Sequence, residues 1–216
     1  MAARGAHAHP LFAALYDPVT AVAERALFRE HREYLARDLS GTVLDLGAGT
    51  GAMFPYFADG ARAADLAVHA VDPDPYMRRR AERRAAGLGL DVGIVEADAG
   101  ALPYADDAFD AVVSSLVLCT VPDVEAAVGE VARVLAPGGE FRFFEHVRGE
   151  GWYGAVQDAV TPAWKIAAAG CHLDRDTGEV LRAQGAFDVA DVERFAPPVP
   201  LVTPFVRGRL VRADAG

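Results

Sequence analysis

The sequence predicts an α/β fold, a doubly wound and largely parallel sheet, on three observations. Short apolar runs rich in β-branched residues alternate with stretches of helical periodicity between Thr42 and His146, the pattern of strands buried on both faces and joined by crossovers. The first run, Thr42 to Leu46, feeds a glycine-rich turn, Gly47-Ala48-Gly49-Thr50-Gly51. The chain then closes on two strand-like runs with no helix between them, Phe187 to Phe195 and Pro204 to Val211, the signature of an antiparallel pair.

After Met1 to His9, which shows no periodicity, Thr20 to Leu39 places Val22, Ala23, Ala26, Leu27, Tyr34, Leu35 and Leu39 at helical spacing among Glu24, Arg25, Arg29, Glu30 and Arg32. Ser40-Gly41 breaks this helix before the first strand. Leu66 to Val71 reads as the second strand and ends at Asp72. Pro73-Asp74-Pro75 is a turn with Asp74 as N-cap and Pro75 at the first helical position, opening a helix from Tyr76 to Ala86 that Gly87 stops. Asp91 to Glu96 is the third strand, and the fourth lies within Ala108 to Leu118. Pro122 opens a helix with Val124, Ala127, Val128, Val131, Val134 and Leu135 on one face; Pro137-Gly138-Gly139 ends it, and Glu140 to His146 is the fifth strand. Helical crossovers are expected throughout. In the tail, Trp152 to Ala169 reads as a helix distorted near Pro162, and Thr177 to Gln184 as another.

With 216 residues, 52% hydrophobic and 24% charged, the chain has the composition of one globular domain whose core needs no metal or disulfide. Cys119 and Cys171 are too few for a disulfide framework and predict a reducing, cytoplasmic setting. Cys119 reads as a small buried hydrophobe, and Cys171-His172 as half a metal site without a second pair. A formal charge of -10, from 31 acidic against 21 basic residues, argues against a nucleic-acid partner. Ala111 to Val121, the longest apolar stretch, is interrupted by Ser114, Ser115 and Thr120 and falls short of the roughly 20 residues of a membrane span. No transmembrane segment is expected, and peripheral membrane contact stays open.

Glycines after a buried strand let the backbone turn and approach a ligand with no Cβ in the way, and the exits of parallel strands face the crevice where doubly wound sheets bind ligands. Gly47, Gly49 and Ala52 also satisfy the dinucleotide fingerprint, so the neighbouring residues must discriminate. Asp45 stands inside the first strand, where a dinucleotide site normally has an apolar residue, and a carboxylate there requires loop amides or a cationic ligand group. Asp72 ends the second strand and is suited to accept both hydroxyls of a ribose. Asp98 follows the third and is suited to accept from an adenine amine. Three carboxylates at three successive strand ends describe a ligand with an amine, a ribose and an adenine.

The chain resembles class I S-adenosylmethionine-dependent methyltransferases over Thr42 to His146, through Val71-Asp72-Pro73, Glu96-Ala97-Asp98-Ala99, Leu102-Pro103-Tyr104, Phe109-Asp110 and Leu135-Ala136-Pro137-Gly138-Gly139. The resemblance implies a Rossmann-like seven-stranded sheet with an antiparallel last strand, an N-terminal helical lid over residues 1–40 and a methyltransferase domain over 41–216. It implies S-adenosylmethionine as cofactor, leaving as S-adenosylhomocysteine, and a small-molecule acceptor. Gly47, Ala48, Gly49 and Gly51 would wrap its methionine and ribose, with Asp45 supporting the loop or amine. Asp72, beside Pro73, would hold the ribose; Met77 would pack on adenine; Asp98 and Ala99 would meet its edge. Ser115 and Leu116 would lie near the sulfonium, and Tyr16 with Asp17 would belong to the lid.

Gly49-Thr50-Gly51-Ala52-Met53-Phe54, Leu116-Val117-Leu118-Cys119-Thr120-Val121, Phe144-Glu145-His146-Val147, Pro162-Ala163-Trp164 and Gly170-Cys171 are similar to the thiol S-methyltransferases, whose animal members methylate small alkyl thiols. Those members carry an N-terminal hydrophobic anchor, and Met1 to Pro10 contains none. A thiol acceptor of pKa about 8.5 is only a few per cent thiolate at neutral pH. His146, at a strand end facing the crevice, is the expected catalytic base; the alternative is that Glu145-His146 caps the strand by pairing with Arg148 or a loop. The competing functions are a quinone, sterol or phospholipid methyltransferase, a cofactor-binding domain without catalysis, and an NAD-dependent oxidoreductase, which Asp45 and Asp98 oppose.

Overall fold

A computed structural model describes residues 27–63, 66–168, 170–197 and 203–213. Tyr16, Asp17 and most of the expected lid lie outside the described residues. Helix α1 (Arg29–Ala36) leads to β1 (Gly41–Leu46), α2 (Phe54–Ala63), β2 (Leu66–Val71), α3 (Pro75–Leu88), β3 (Val92–Val95), β4 (Phe109–Ser115), α4 (Val124–Val134) and β5 (Leu135–His146). The tail adds α5 (Gly151–Ala167), α6 (Thr177–Ala183), β6 (Phe187–Phe195) and β7 (Phe205–Arg212).

The seven strands form one sheet in the order β3-β2-β1-β4-β5-β7-β6. Strands β1 to β5 are parallel, with Val43 opposite both Val68 and Ala111, and β7 enters antiparallel between β5 and β6. The expected antiparallel closing pair is therefore present, and β7 joins it to the parallel half through β5. Chain direction across the sheet reverses between β1 and β4, the switch point where a crevice opens outside the carboxyl ends of the strands.

Two apolar layers hold the sheet. On one side Val124, Val128, Val131 and Val134 of α4 join Leu44, Val112 and Phe141; on the other Leu35, Phe54 and Phe57 join Val43, Val68 and Val113. Alternate residues of each strand feed opposite layers. Arg142 of β5 donates to the Leu35 carbonyl at 3.2 Å and to that of Arg37, satisfying the end of α1 and fixing it to the sheet.

Several local expectations are corrected. The helix opened by Pro75 does not stop at Gly87 but runs to Leu88, where Gly89 at φ +64° makes the left-handed cap; Asp74 does cap its start, accepting from Tyr76 N at 2.7 Å. Helix α4 begins after Asp123 rather than at Pro122, because the Asp123 carboxylate accepts from Ala126 N at 2.9 Å. Pro137-Gly138-Gly139 lies within an irregular start of β5. As expected, α5 runs through Pro162. The β3–β4 crossover contains no helix; α4 staples it instead, Arg133 donating to the carbonyls of Tyr104 at 2.8 Å and Leu102 at 3.1 Å.

Candidate functional site

A cavity opens over the exits of β1, β2 and β4. Its floor is the turn after β1, where Gly47, Gly49 and Gly51 have φ of +63°, +58° and +78°. A Cβ on Gly47 would stand 2.5 Å from Val117 Cγ1, and one on Gly51 would stand 2.6 Å from the Phe54 ring. Those two glycines let neighbouring side chains close against the turn. Gly49 differs: among the described residues a Cβ there meets nothing nearer than 4.0 Å, so its missing side chain keeps the cavity open. Ala48 lines the same floor, whereas Gly51 faces Phe54 and does not line it.

The three strand-end carboxylates converge on this space. Asp72 spends Oδ2 on Gly49 N at 2.8 Å and Oδ1 on Asp74 N at 2.8 Å. It thereby locks the glycine turn to the end of β2, while each oxygen keeps a second lone pair. Burial raises its pKa, and the Asp74 and Gly49 amides act against that rise. Asp98 Oδ1 accepts from Gly100 N at 2.9 Å, shaping the turn that carries Ala99 to the cavity. Asp45 is only 2% exposed, and its Oδ2 has no hydrogen-bond partner among the described residues. Burial pushes its carboxyl up to about 8, the Arg32 charge opposing and the Asp72 charge adding. A buried carboxyl bordering a cavity with an unspent oxygen has the chemistry to receive a cationic group, and an incoming ammonium would drive it to the ionised form.

Pro73 and Met77 border the cavity beyond Asp72, with Met77 in the first turn of α3. Ser115 and Leu116 border it from β4. Leu116 is a non-glycine residue at φ +62°, a conformation that costs about 1–2 kcal/mol and persists only where its surroundings dictate it. Glu145, at 0% exposure, supplies that constraint: it accepts from Ser114 Oγ at 2.7 Å, Val117 N at 3.0 Å and Cys119 N at 3.4 Å. Sequence reading missed this role, since its only signal was an acid at the inner end of a strand.

Arg32 was missed too. Its spacing suggested the polar face of α1, yet it is 2% exposed and lines the cavity near Asp45. His146 departs from expectation in the opposite sense: it does not line this cavity. Its ring is buried against Phe205, with Gln157 Nε2 at 3.4 Å from its Nε2, and burial lowers its pKa to about 4 despite the His172 backbone and Asp174. It is therefore neutral at pH 7. Glu145 turns inward to the β4 loop, and Arg148 pairs with Asp158 at 2.6 Å, so the two residues do not make the strand-end cap with Arg148 either.

The residues present suit a nucleoside that carries an ammonium: an unspent buried carboxyl, a glycine floor kept clear of side chains, and a carboxylate at each of the next two strand exits. Residues 44–143 match the family model of the methyltransferase domain. Human thiol S-methyltransferase TMT1A is 32% identical over 210 residues, covering 93% of this chain and 83% of the human protein. Demethylmenaquinone methyltransferase of Thermus thermophilus is 43% identical, over 48% of this chain and 46% of that protein. Among solved structures, a chain from the complex between the Haloferax volcanii Trm112 methyltransferase activator and a methyltransferase aligns with a TM-score of 0.70 at 20% identity, covering 95% of this chain and 99% of that one. With the fold matched and the sequence likeness running nearly the length of both chains, the protein belongs to the S-adenosylmethionine-dependent methyltransferases, in the family of the thiol S-methyltransferases.

Proposed function

We infer that the chain transfers a methyl group from S-adenosylmethionine to a small thiol. The observation that carries the thiol is extent: the likeness to the human thiol enzyme reaches through the tail that follows β5, whereas the likeness to the quinone enzyme spans about half the chain. Bound along the strand exits, the donor supplies an electrophilic methyl group on a neutral leaving group. In this pose Asp45 takes the amine and Asp72 the ribose hydroxyls, Asp98 and Ala99 meet the adenine edge against Met77, and Ser115 and Leu116 stand beside the sulfonium. The protein's contribution is alignment of nucleophile and methyl, worth roughly 7–11 kcal/mol when complete. Arg32 gives the segment before β1 a wall of the site, which supports its assignment as a lid.

Because His146 is neutral with a pKa of about 4 and stands off the cavity, it is too weak a base to ionise a thiol. The acceptor enters as the thiolate present in solution, which suits a reducing, cytoplasmic setting. The test is incubation with methyl-labelled S-adenosylmethionine and parallel panels of alkyl thiols, quinones and amines. Label in the thioether products is expected. Label only in quinone products transfers the chain to the runner-up reading, and no label with any class reduces it to a cofactor-binding domain.

A further inference from the structure

Outside the cavity, the two cysteines of the chain meet. Cys119, on the loop after β4, and Cys171, just beyond α5, are 52 residues apart in sequence, and their sulfurs lie 3.8 Å from each other. The adjoining backbone is tied as well: His172 N donates to the Cys119 carbonyl at 2.8 Å, and Arg175 donates to the carbonyls of Leu118 and Val121, each at 2.7 Å. The two segments are thus held side by side with the thiols between them. Thr120, Val121 and Pro122 on one segment and Ala168 on the other line the cavity.

We propose that Cys119 and Cys171 form a reversible intramolecular disulfide that draws the loop after β4 onto the end of α5 and narrows the part of the cavity lined by Thr120, Val121, Pro122 and Ala168, which the proposed donor pose leaves to the acceptor, so that methyl transfer responds to small disulfides. The sulfurs need to approach from 3.8 Å to about 2.05 Å, between segments already in register. Cys119 is buried, whereas Cys171 is partly exposed and is the entry point. Contact with the Cys119 thiol holds the Cys171 pKa below its ordinary value against the opposing effect of burial; the same contact and burial push Cys119 up. The Cys171 thiolate attacks a disulfide such as glutathione disulfide, giving a mixed disulfide and one glutathione thiolate. Cys119 passes its proton to that thiolate and attacks Cys171 Sγ, expelling the second glutathione. Two protein thiols are oxidised as one disulfide is reduced to two thiols.

The experiment equilibrates the full chain in glutathione buffers of graded potential, traps free thiols with N-ethylmaleimide and reads the intact mass, beside Cys119→Ser and Cys171→Ser variants. Wild type is expected to lose two hydrogens and take no maleimide, whereas neither variant closes a ring. Cross-linking a loop of about 50 residues is expected to raise the melting midpoint by roughly 5–10 °C. These readouts need no acceptor, so they stand apart from the thiol reading. The kinetic arm rests on that reading: oxidation is expected to lower kcat/KM for a thiol on the order of tenfold, with donor affinity within about twofold, and dithiothreitol restores it; Cys171→Ser shows no such response. Two trapped thiols in the most oxidising buffer, or glutathione adducts that never close, overturn the disulfide. A closed disulfide with unchanged kinetics overturns the switch.

Discussion

Replacing Asp45 by Asn separates the receptor carboxyl from its titration. In the folded protein burial holds this group near 8, against an ordinary value of 3.8, so between those values the unfolded chain is ionised while the folded chain keeps the proton. A raised acid of this kind contributes stability below the unfolded pKa and loses it as pH climbs to the folded one. The Asp45→Asn variant mimics the protonated form and is spared that loss. Its stability relative to wild type should therefore grow by about 1.4 kcal/mol per pH unit inside the window, or about 2.7 kcal/mol between pH 5.5 and pH 7.5. The assay is urea denaturation of both proteins at each pH, where the gap corresponds to about 1 M in midpoint. Carboxylates that do not act on Asp45 titrate alike in the two chains and cancel. Binding supplies the complement: S-adenosylmethionine at pH 7 should release close to one proton from wild type and none from the variant, read by calorimetry in buffers of different ionisation enthalpy. Parallel stability curves across the window would refute the reasoning, because Asp45 would then be ionised in the fold and satisfied by some other group.

Asp72→Ala should weaken S-adenosylmethionine binding by roughly 1–3 kcal/mol, about fivefold to 150-fold in Kd by calorimetry, since it removes a ribose acceptor in the proposed pose and the anchor of Gly49 N; undiminished affinity would count against the pose. Glu145→Gln keeps the shape but turns a donor toward the loop amides, and a fall of about 2 kcal/mol, roughly 4–8 °C in thermal denaturation, is expected; an unmoved midpoint would dissolve its positioning role. Gly47→Ala should cost at least about 2 kcal/mol more than Gly89→Ala in denaturation, because both residues have positive φ but only the first would press a Cβ into Val117; equal costs would mean that Val117 gives way. The ascending limb of kcat/KM against pH should follow the pKa of each thiol supplied and stay in place in His146→Ala, and a fixed limb lost in that variant would restore His146 as the base.

The sheet was readable because a parallel strand buried on both faces leaves an apolar run whose ends punctuation residues mark, as in Thr42 to Leu46 before Gly47. Asp45, Asp72 and Asp98 were readable for a related reason: a carboxylate at the exit of such a strand has no place in a plain core. Arg32 was not, because helical periodicity assigns any arginine to the polar face, and the acid that it faces comes from a strand that sequence cannot dock against it. The β3–β4 crossover misled since its support, Arg133, lies about thirty residues downstream. The contact of Cys119 with Cys171 leaves no local trace, being made by two segments 52 residues apart in sequence.

The turn after β1 and the loop after β4 behave as one mechanical part. Val117 fills the space above Gly47 so closely that a single added carbon would overlap it, and Val117 N is fixed by Glu145 at 3.0 Å. Leu116, held at φ +62° between them, donates its own N–H to the Phe144 carbonyl at 2.8 Å, so the strain of that residue is borne by β5. A displacement of Glu145 would therefore travel through Val117 to the turn after β1 without touching a ligand, while the proposed disulfide would act on the far end of the same loop. In the proposed pose, the β4 loop is the place where donor and acceptor geometry are set against each other. A displacement reaction gains most when the reacting atoms are held in line, and in-line placement depends on the separation of two walls that here share a single support.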